Sequence, residues 1–114
     1  MLKSKIHRAT VTAAEIDYPG SLTIDRELLE AAELYEFEAI DVVNVNNGER
    51  FTTYLVSGGP GECCLNGAAA RLGVVGDVVI LMSFDMVDTE TAKAMKPRIV
   101  HVDRTNAITG VEGG

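Results

Sequence analysis

Tryptophan is absent from this 114-residue chain, and it holds only three tyrosines, three phenylalanines, three prolines and two cysteines. With 46% apolar and 24% charged residues, the composition excludes collagen, a disulfide scaffold and wholesale disorder. The chain is long enough for one domain and too short for two. The longest apolar run type, Val78-Val79-Ile80-Leu81-Met82, falls far short of the roughly 18–20 residues needed to span a bilayer, so no membrane partner is expected. The basic start lacks a following apolar stretch, so no signal peptide is expected either. Bases are outnumbered: ten against seventeen acids, a net charge of −7. A nucleic-acid binder carries a basic surplus, and that class is disfavoured. Cys63 and Cys64 are adjacent, a spacing suited neither to pairing with each other nor to zinc. They read as free thiols packed like small apolar residues in a reducing, cytoplasmic compartment.

What is present is a succession of short elements. Residues 5–12 read as a strand, with Lys5, His7, Ala9 and Val11 on one face by period 2. Tyr18-Pro19-Gly20-Ser21 reads as a turn, with Pro19 presetting φ and Gly20 able to tolerate a positive φ. Residues 22–24 are extended, Asp25 caps a helix to about Ala32, and Ile24 with Leu29 forms a hydrophobic staple. Residues 38–45 and 50–56 form strands around the hairpin signal Asn46-Asn47-Gly48. A flexible loop at 57–61 leads to a short strand at 62–65 and one or two helical turns at 68–72. A strand at 77–84, a helix from Asp88 or Thr89 to Met95 stopped by Pro97, and a strand at 98–102 follow. Residues 1–102 form the single domain, and the Gly-rich tail 103–114 is expected to be loosely held. Two stretches echo each other: Ala31-Ala32-Glu33-Leu34 before Asp41-Val42-Val43, and Ala69-Ala70-Arg71-Leu72 before Asp77-Val78-Val79. Short strands at close spacing, in two similar halves, favour a barrel.

No phosphate-binding loop, dinucleotide fingerprint or metal-ligand spacing occurs. From composition alone Tyr18-Pro19-Gly20-Ser21 reads as a surface turn; the sharper alternative is a self-processing site at Gly20-Ser21. Glycine leaves the carbonyl before Ser21 unshielded. The serine Oγ can attack it and turn the peptide into an ester. Elimination of that ester leaves dehydroalanine, which hydrolyses to a pyruvoyl group.

Lys5-Ile6-His7-Arg8-Ala9, Tyr18-x-Gly20-Ser21, Asn47-Gly48-x-Arg50-Phe51-x-Thr53-Tyr54, Asn66-Gly67-Ala68-Ala69-Ala70 and Gly76-Asp77-Val78-Val79-Ile80 occur in that order. Together they resemble the pyruvoyl-dependent aspartate 1-decarboxylase family over roughly residues 3–102. The resemblance implies a mainly β double-psi β-barrel with short helices, assembled as a homotetramer with active sites between subunits. It implies a zymogen cleaved autocatalytically between Gly20 and Ser21, into 1–20 and 21–114, with a covalent pyruvoyl group derived from Ser21 as cofactor. The reaction implied is decarboxylation of L-aspartate to β-alanine through a Schiff base, for pantothenate and coenzyme A synthesis, and the family allows a maturation factor as a further partner. Residue by residue, it implies Tyr54 as proton donor and Thr53 as the hydroxyl near the scissile carbonyl. Arg50 would hold a substrate carboxylate, with Lys5 and His7 adding positive potential. Tyr18, Asn66, Gly67, Ala68 and Ala69 would line or orient the substrate. Val43 stands where some members carry Trp, and the Gly58–Glu62 loop differs from the common type. In an ideal strand, Arg50 and Tyr54 face one way and Thr53 the other, so either the strand is bulged or the residues serve different sites. The competing reading is a non-catalytic, oligomeric β-barrel binding module that never matures.

Overall fold

A computed structural model describes residues 1–114. The chain is mainly β, and its architecture is compatible with a double-psi β-barrel. The strands are β1 (Leu2–Thr10), β2 (Ala13–Glu15), β3 (Ser21–Asp25), β4 (Ala39–Asn44), β5 (Arg50–Gly58), β6 (Cys63–Asn66), β7 (Val78–Phe84), β8 (Arg98–Val102) and β9 (Ile108–Glu112). Helix α1 spans Arg26–Ala32, α2 spans Thr89–Ala94, and a 3-10 turn covers Gly67–Arg71. Pairing runs in the order β2-β6-β3-β5-β4-β7-β1-β8-β9. β1 with β8, β2 with β6 and β3 with β5 run parallel; the remaining pairs are antiparallel. The two echoing halves end on β4 and β7, which are direct neighbours with Val42 opposite Leu81. No helix is long and apolar enough to cross a membrane.

One core joins these elements. Ile6, Leu22, Ile24, Ile40, Val42, Leu55, Leu65, Val79, Leu81 and Val100 are each at most 1% exposed. Along β4 and β7 they alternate with less buried positions, as a sheet with one buried face requires. α1 begins where Asp25 accepts the Glu27 N–H at 2.8 Å, and it turns Leu28, Leu29 and Ala32 into the same core. Ile24 and Leu29 both lie in that cluster. α2 starts on Asp88, whose carboxylate accepts from Thr91 N–H at 2.7 Å.

Four expectations are corrected. Lys5, His7, Ala9 and Val11 do not share a face. Arg8 adopts φ +67°, and the register against β7 shifts between Ile6 and Ala9. This bulge keeps Ile6 in the core and also turns Ala9 and Val11 into it, leaving Lys5 and His7 on the opposite, half-buried side. Gly20 does not take a positive φ; the turn hydrogen bond closes earlier, from Tyr18 N–H to Glu15 O at 3.3 Å. The expected loop at 57–61 is half strand, because β5 continues through Gly58. The tail is not loose. Asn106, 1% exposed, accepts from Thr10 N–H at 2.8 Å and donates to Thr10 O and Gly61 O, both at 2.9 Å. That anchor returns the chain alongside β8 as β9.

Candidate active site

Ser21 opens β3 opposite Asn66, the last residue of β6. It is 5% exposed. Its Oγ accepts from Asn66 Nδ2 at 3.0 Å and donates to Pro19 O at 3.2 Å. The same Asn66 Nδ2 donates to Thr23 Oγ1 at 2.9 Å, while Asn66 Oδ1 accepts from Cys64 Sγ at 3.1 Å. The serine is thus a buried nucleophile candidate held by one amide rather than a solvated turn residue.

Beside it opens a recess of about 410 Å3, lined by Gly20, Thr53, Tyr54, Asn66, Ala68 and Ala69 among others. A side chain at Gly20 would meet no atom within 4 Å, so the space beside its Cα is open. Gly67 does meet atoms: a Cβ there would lie 2.7 Å from Gly20 Cα and 3.0 Å from Tyr18 O, and its φ is +64°. Glycine is required at this point on two counts, handedness and close approach. It lets the 3-10 turn press its backbone against Gly20 and the Tyr18 carbonyl.

β5 runs in unbroken register with β4 from Arg50 to Tyr54. No bulge reconciles Thr53 with Tyr54, and none is needed. β3 pairs with β5 only from Leu55 onward, so the edge of β5 ahead of Leu55 has no strand partner. At that edge Thr53, from the half-buried face of the strand, and Tyr54, from its exposed face, line one recess. Tyr54 is half-exposed, with the ring of Phe37 6.2 Å away at a 43° tilt.

Other residues expected at the site lie elsewhere in the single chain. Arg50 does not line the recess; its Nη2 sits 3.2 Å from Asp41 Oδ2, and Thr52 Oγ1 donates to the other Asp41 oxygen at 2.7 Å. Tyr18 offers its backbone to the Gly67 contact while its side chain is exposed. His7 lines a second recess of about 390 Å3 with Arg8, His101 and Arg104. Its Nδ1 is buried without a partner, and its ring packs edge-on to His101 at 5.6 Å. Burial, then the charges of Lys5, His101 and Arg8, hold its pKa below the usual value, favouring the neutral ring.

The partners that sequence reasoning missed are Thr23, Cys64 and Asp41. Cys63 is the packed core thiol it expected, fully buried with its pKa pushed up to about 12. Cys64 instead serves as a hydrogen-bond donor. The signal was period 2: Cys64 and Asn66 share one face of β6, and Ser21 and Thr23 one face of β3.

Comparison with known proteins bears on this arrangement. Residues 1–109 match the family model described as aspartate decarboxylase. The chain is 54% identical to the aspartate 1-decarboxylase of Campylobacter hominis over 106 residues, covering 93% of each protein. It is 57% identical to that of Caldicellulosiruptor bescii over 110 residues, 95% of this chain and 86% of the relative. Against the Dehalococcoides mccartyi enzyme of the same name it is 53% identical over 116 residues, covering all of this chain and 94% of the relative. With matches of this extent, the chain belongs to the aspartate decarboxylase family.

Proposed function

We propose that this protein decarboxylates L-aspartate to β-alanine and CO2 with a pyruvoyl group made from its own Ser21, supplying pantothenate and coenzyme A synthesis in the cytoplasm. The observation that carries this reading is the buried Ser21 Oγ, held by Asn66 directly after Gly20 and beside an open recess. These residues suit formation of the group. Oγ adds to the Gly20 carbonyl carbon, the Gly20–Ser21 C–N bond breaks, and the Oγ proton ends on the freed Ser21 nitrogen. Thr53, on the wall of the same recess, polarises the scissile carbonyl with its hydroxyl. Once present, the group supplies a ketone that captures the substrate amine and draws in the electron pair released with CO2.

The remaining work falls to side chains. Tyr54, on the wall of the recess, donates the proton that replaces the departing carboxylate. Arg50 lies on the same face of β5 and holds the retained carboxylate through its planar fork. Asn66 and the backbone at Ala68 and Ala69 orient the bound substrate. Lys5 and His7 do not line the recess beside Ser21 in one protomer, and a neighbouring copy in a homotetramer brings them to the site.

Intact-mass measurement tests the proposal. Purified protein is expected as two fragments, residues 1–20 and 21–114, the larger lighter than its Ser-started form by one NH3. Ser21→Ala should remain whole and inactive. Thr53→Val should fold and remain whole. An active preparation that keeps its full-length mass would refute the pyruvoyl reading and leave the catalytic group to be sought elsewhere. A whole and inactive wild type would favour a binding module.

A further inference from the structure

Ser21, Thr23, Cys64 and Asn66 form a cross-strand square. β3 and β6 run antiparallel with Ser21 opposite Asn66 and Thr23 opposite Cys64, and period 2 turns all four side chains to one face. Ser21, Cys64 and Asn66 are each about 95% buried. Within the square the hydrogen bonds run in one sense. Cys64 Sγ donates to Asn66 Oδ1, and Asn66 Nδ2 spends its two protons on Ser21 Oγ and Thr23 Oγ1.

That sense is dictated by Ser21. Its own proton goes to Pro19 O, so Oγ is left to accept, and only the nitrogen side of the Asn66 amide can serve it. The reverse amide orientation would require Ser21 to abandon Pro19 O. It would also set an NH2 group against a sulfur, a weak acceptor. Burial, with Glu62 and Glu15 nearby, raises the Cys64 pKa, so the thiol keeps its proton and stays a donor at neutral pH.

We infer that Thr23 and Cys64 are positioning residues for self-cleavage, acting on Ser21 through the side-chain amide of Asn66. The inference rests on the reading of Ser21 as the self-cleaving residue. Attack requires Oγ to hold one rotamer facing the Gly20 carbonyl carbon. A single donated bond from a free amide does not secure that, because an asparagine side chain rotates and flips. Two further anchors, one on each end of the amide, remove that freedom. The covalent step is unchanged: the Oγ–C bond forms, the C–N bond breaks, and the proton passes from Oγ to nitrogen. Thr23 and Cys64 exchange no atoms with it.

The test is a cleavage time course on freshly purified full-length chain, followed by gel and intact mass, with thermal melting of the uncleaved protein alongside. Cys64→Ala and Thr23→Val are expected to cleave at least about tenfold slower while melting within a few degrees of wild type. Cys64→Ser restores a donor and should cleave within about threefold of wild type. A thiol that only fills space predicts the opposite order, with alanine tolerated and the buried hydroxyl of serine the worse choice. Should Cys64→Ala fail to fold, Thr23→Val, half-buried and isosteric, still decides the matter. Cleavage of Thr23→Val at the wild-type rate, or Cys64→Ser as slow as Cys64→Ala, would overturn the inference. A wild-type chain that never cleaves would instead defeat the reading of Ser21 on which it stands.

Discussion

Gly67 lies with its backbone against that of Gly20, so closely that a Cβ at 67 would stand 2.7 Å from Gly20 Cα and 2.9 Å from Gly20 N. Gly67→Ala is expected to lose more than about 2 kcal/mol of stability, from the left-handed backbone and the clash together. It should also slow cleavage, by pushing the Tyr18–Ser21 segment off the recess wall. Gly48→Ala is the control. Its φ is +77° with nothing within 4 Å, so it should cost only about 1 kcal/mol and leave cleavage alone. Equal effects in chemical denaturation would show that contact with Gly20 is immaterial.

Arg50 is held on one side only, by Asp41, which leaves most of its guanidinium fork available. Arg50→Lys should mature normally but lose about 2–3 kcal/mol in kcat/KM, because an ammonium carries the charge without the two-point geometry. Steady-state kinetics on fully processed protein decide this. Wild-type kcat/KM would assign Arg50 to a structural pair with Asp41.

Glu38 gives stability a sign with pH. Burial pushes its carboxyl pKa up, but hydrogen bonds from Lys3 Nζ, Ser83 Oγ and Tyr35 N–H outweigh that and hold it below its ordinary 4.5. A carboxyl lowered in the folded state contributes stability that is complete above its unfolded pKa and lost as pH falls through the folded one. Glu38→Gln should therefore be destabilised by about 1–2 kcal/mol at neutral pH. The gap to wild type should close as melts are taken below pH 4.5. A constant gap across that range would mean that the Glu38 charge is immaterial.

Asn106 ties the end of the chain to the rest of the fold through three hydrogen bonds, two to Thr10 of β1 and one to Gly61 O, and has φ +65°. Asn106→Gly keeps that backbone while deleting the bonds. A loss of about 3 kcal/mol is expected, roughly one per bond. Amide exchange at Val111, opposite Val100 in the β8–β9 ladder, should accelerate. Unchanged protection there would show that β9 holds without its anchor.

Much of this was readable locally. The limits of β8, the aspartate caps on both helices and the hairpin around Asn47-Gly48 follow from residue type and short-range spacing. What was not readable depends on distant partners. An arginine with φ +67° is disfavoured by its own chemistry, and only the pairing of β1 with both β7 and β8 accounts for the bulge. β9 looks like a polar tail until Asn106 reaches Thr10 across 96 positions of sequence. For the site, Gly20-Ser21 is visible as a word in the chain, whereas Thr53 looks like any β-branched strand residue apart from the family resemblance. That Gly67 must be glycine because Gly20 occupies its side-chain space is a tertiary fact. Likewise, Arg50 is already paired because Asp41 lies on the adjacent strand.

The position of β1 has one more consequence. It is flanked by β7 on one side and β8 on the other, while β2 is stitched to β6. A cut after Gly20 would release neither strand, since both would stay locked by ladders that never passed through the severed bond. Unfolding, however, would change its molecularity. Before the cut one chain unfolds and refolds with itself; afterwards two chains must find each other again, and recovery becomes second order in protein. Dilution after denaturation would then strand the longer piece without β1 and β2, so the matured protein would be unable to rebuild itself at low concentration.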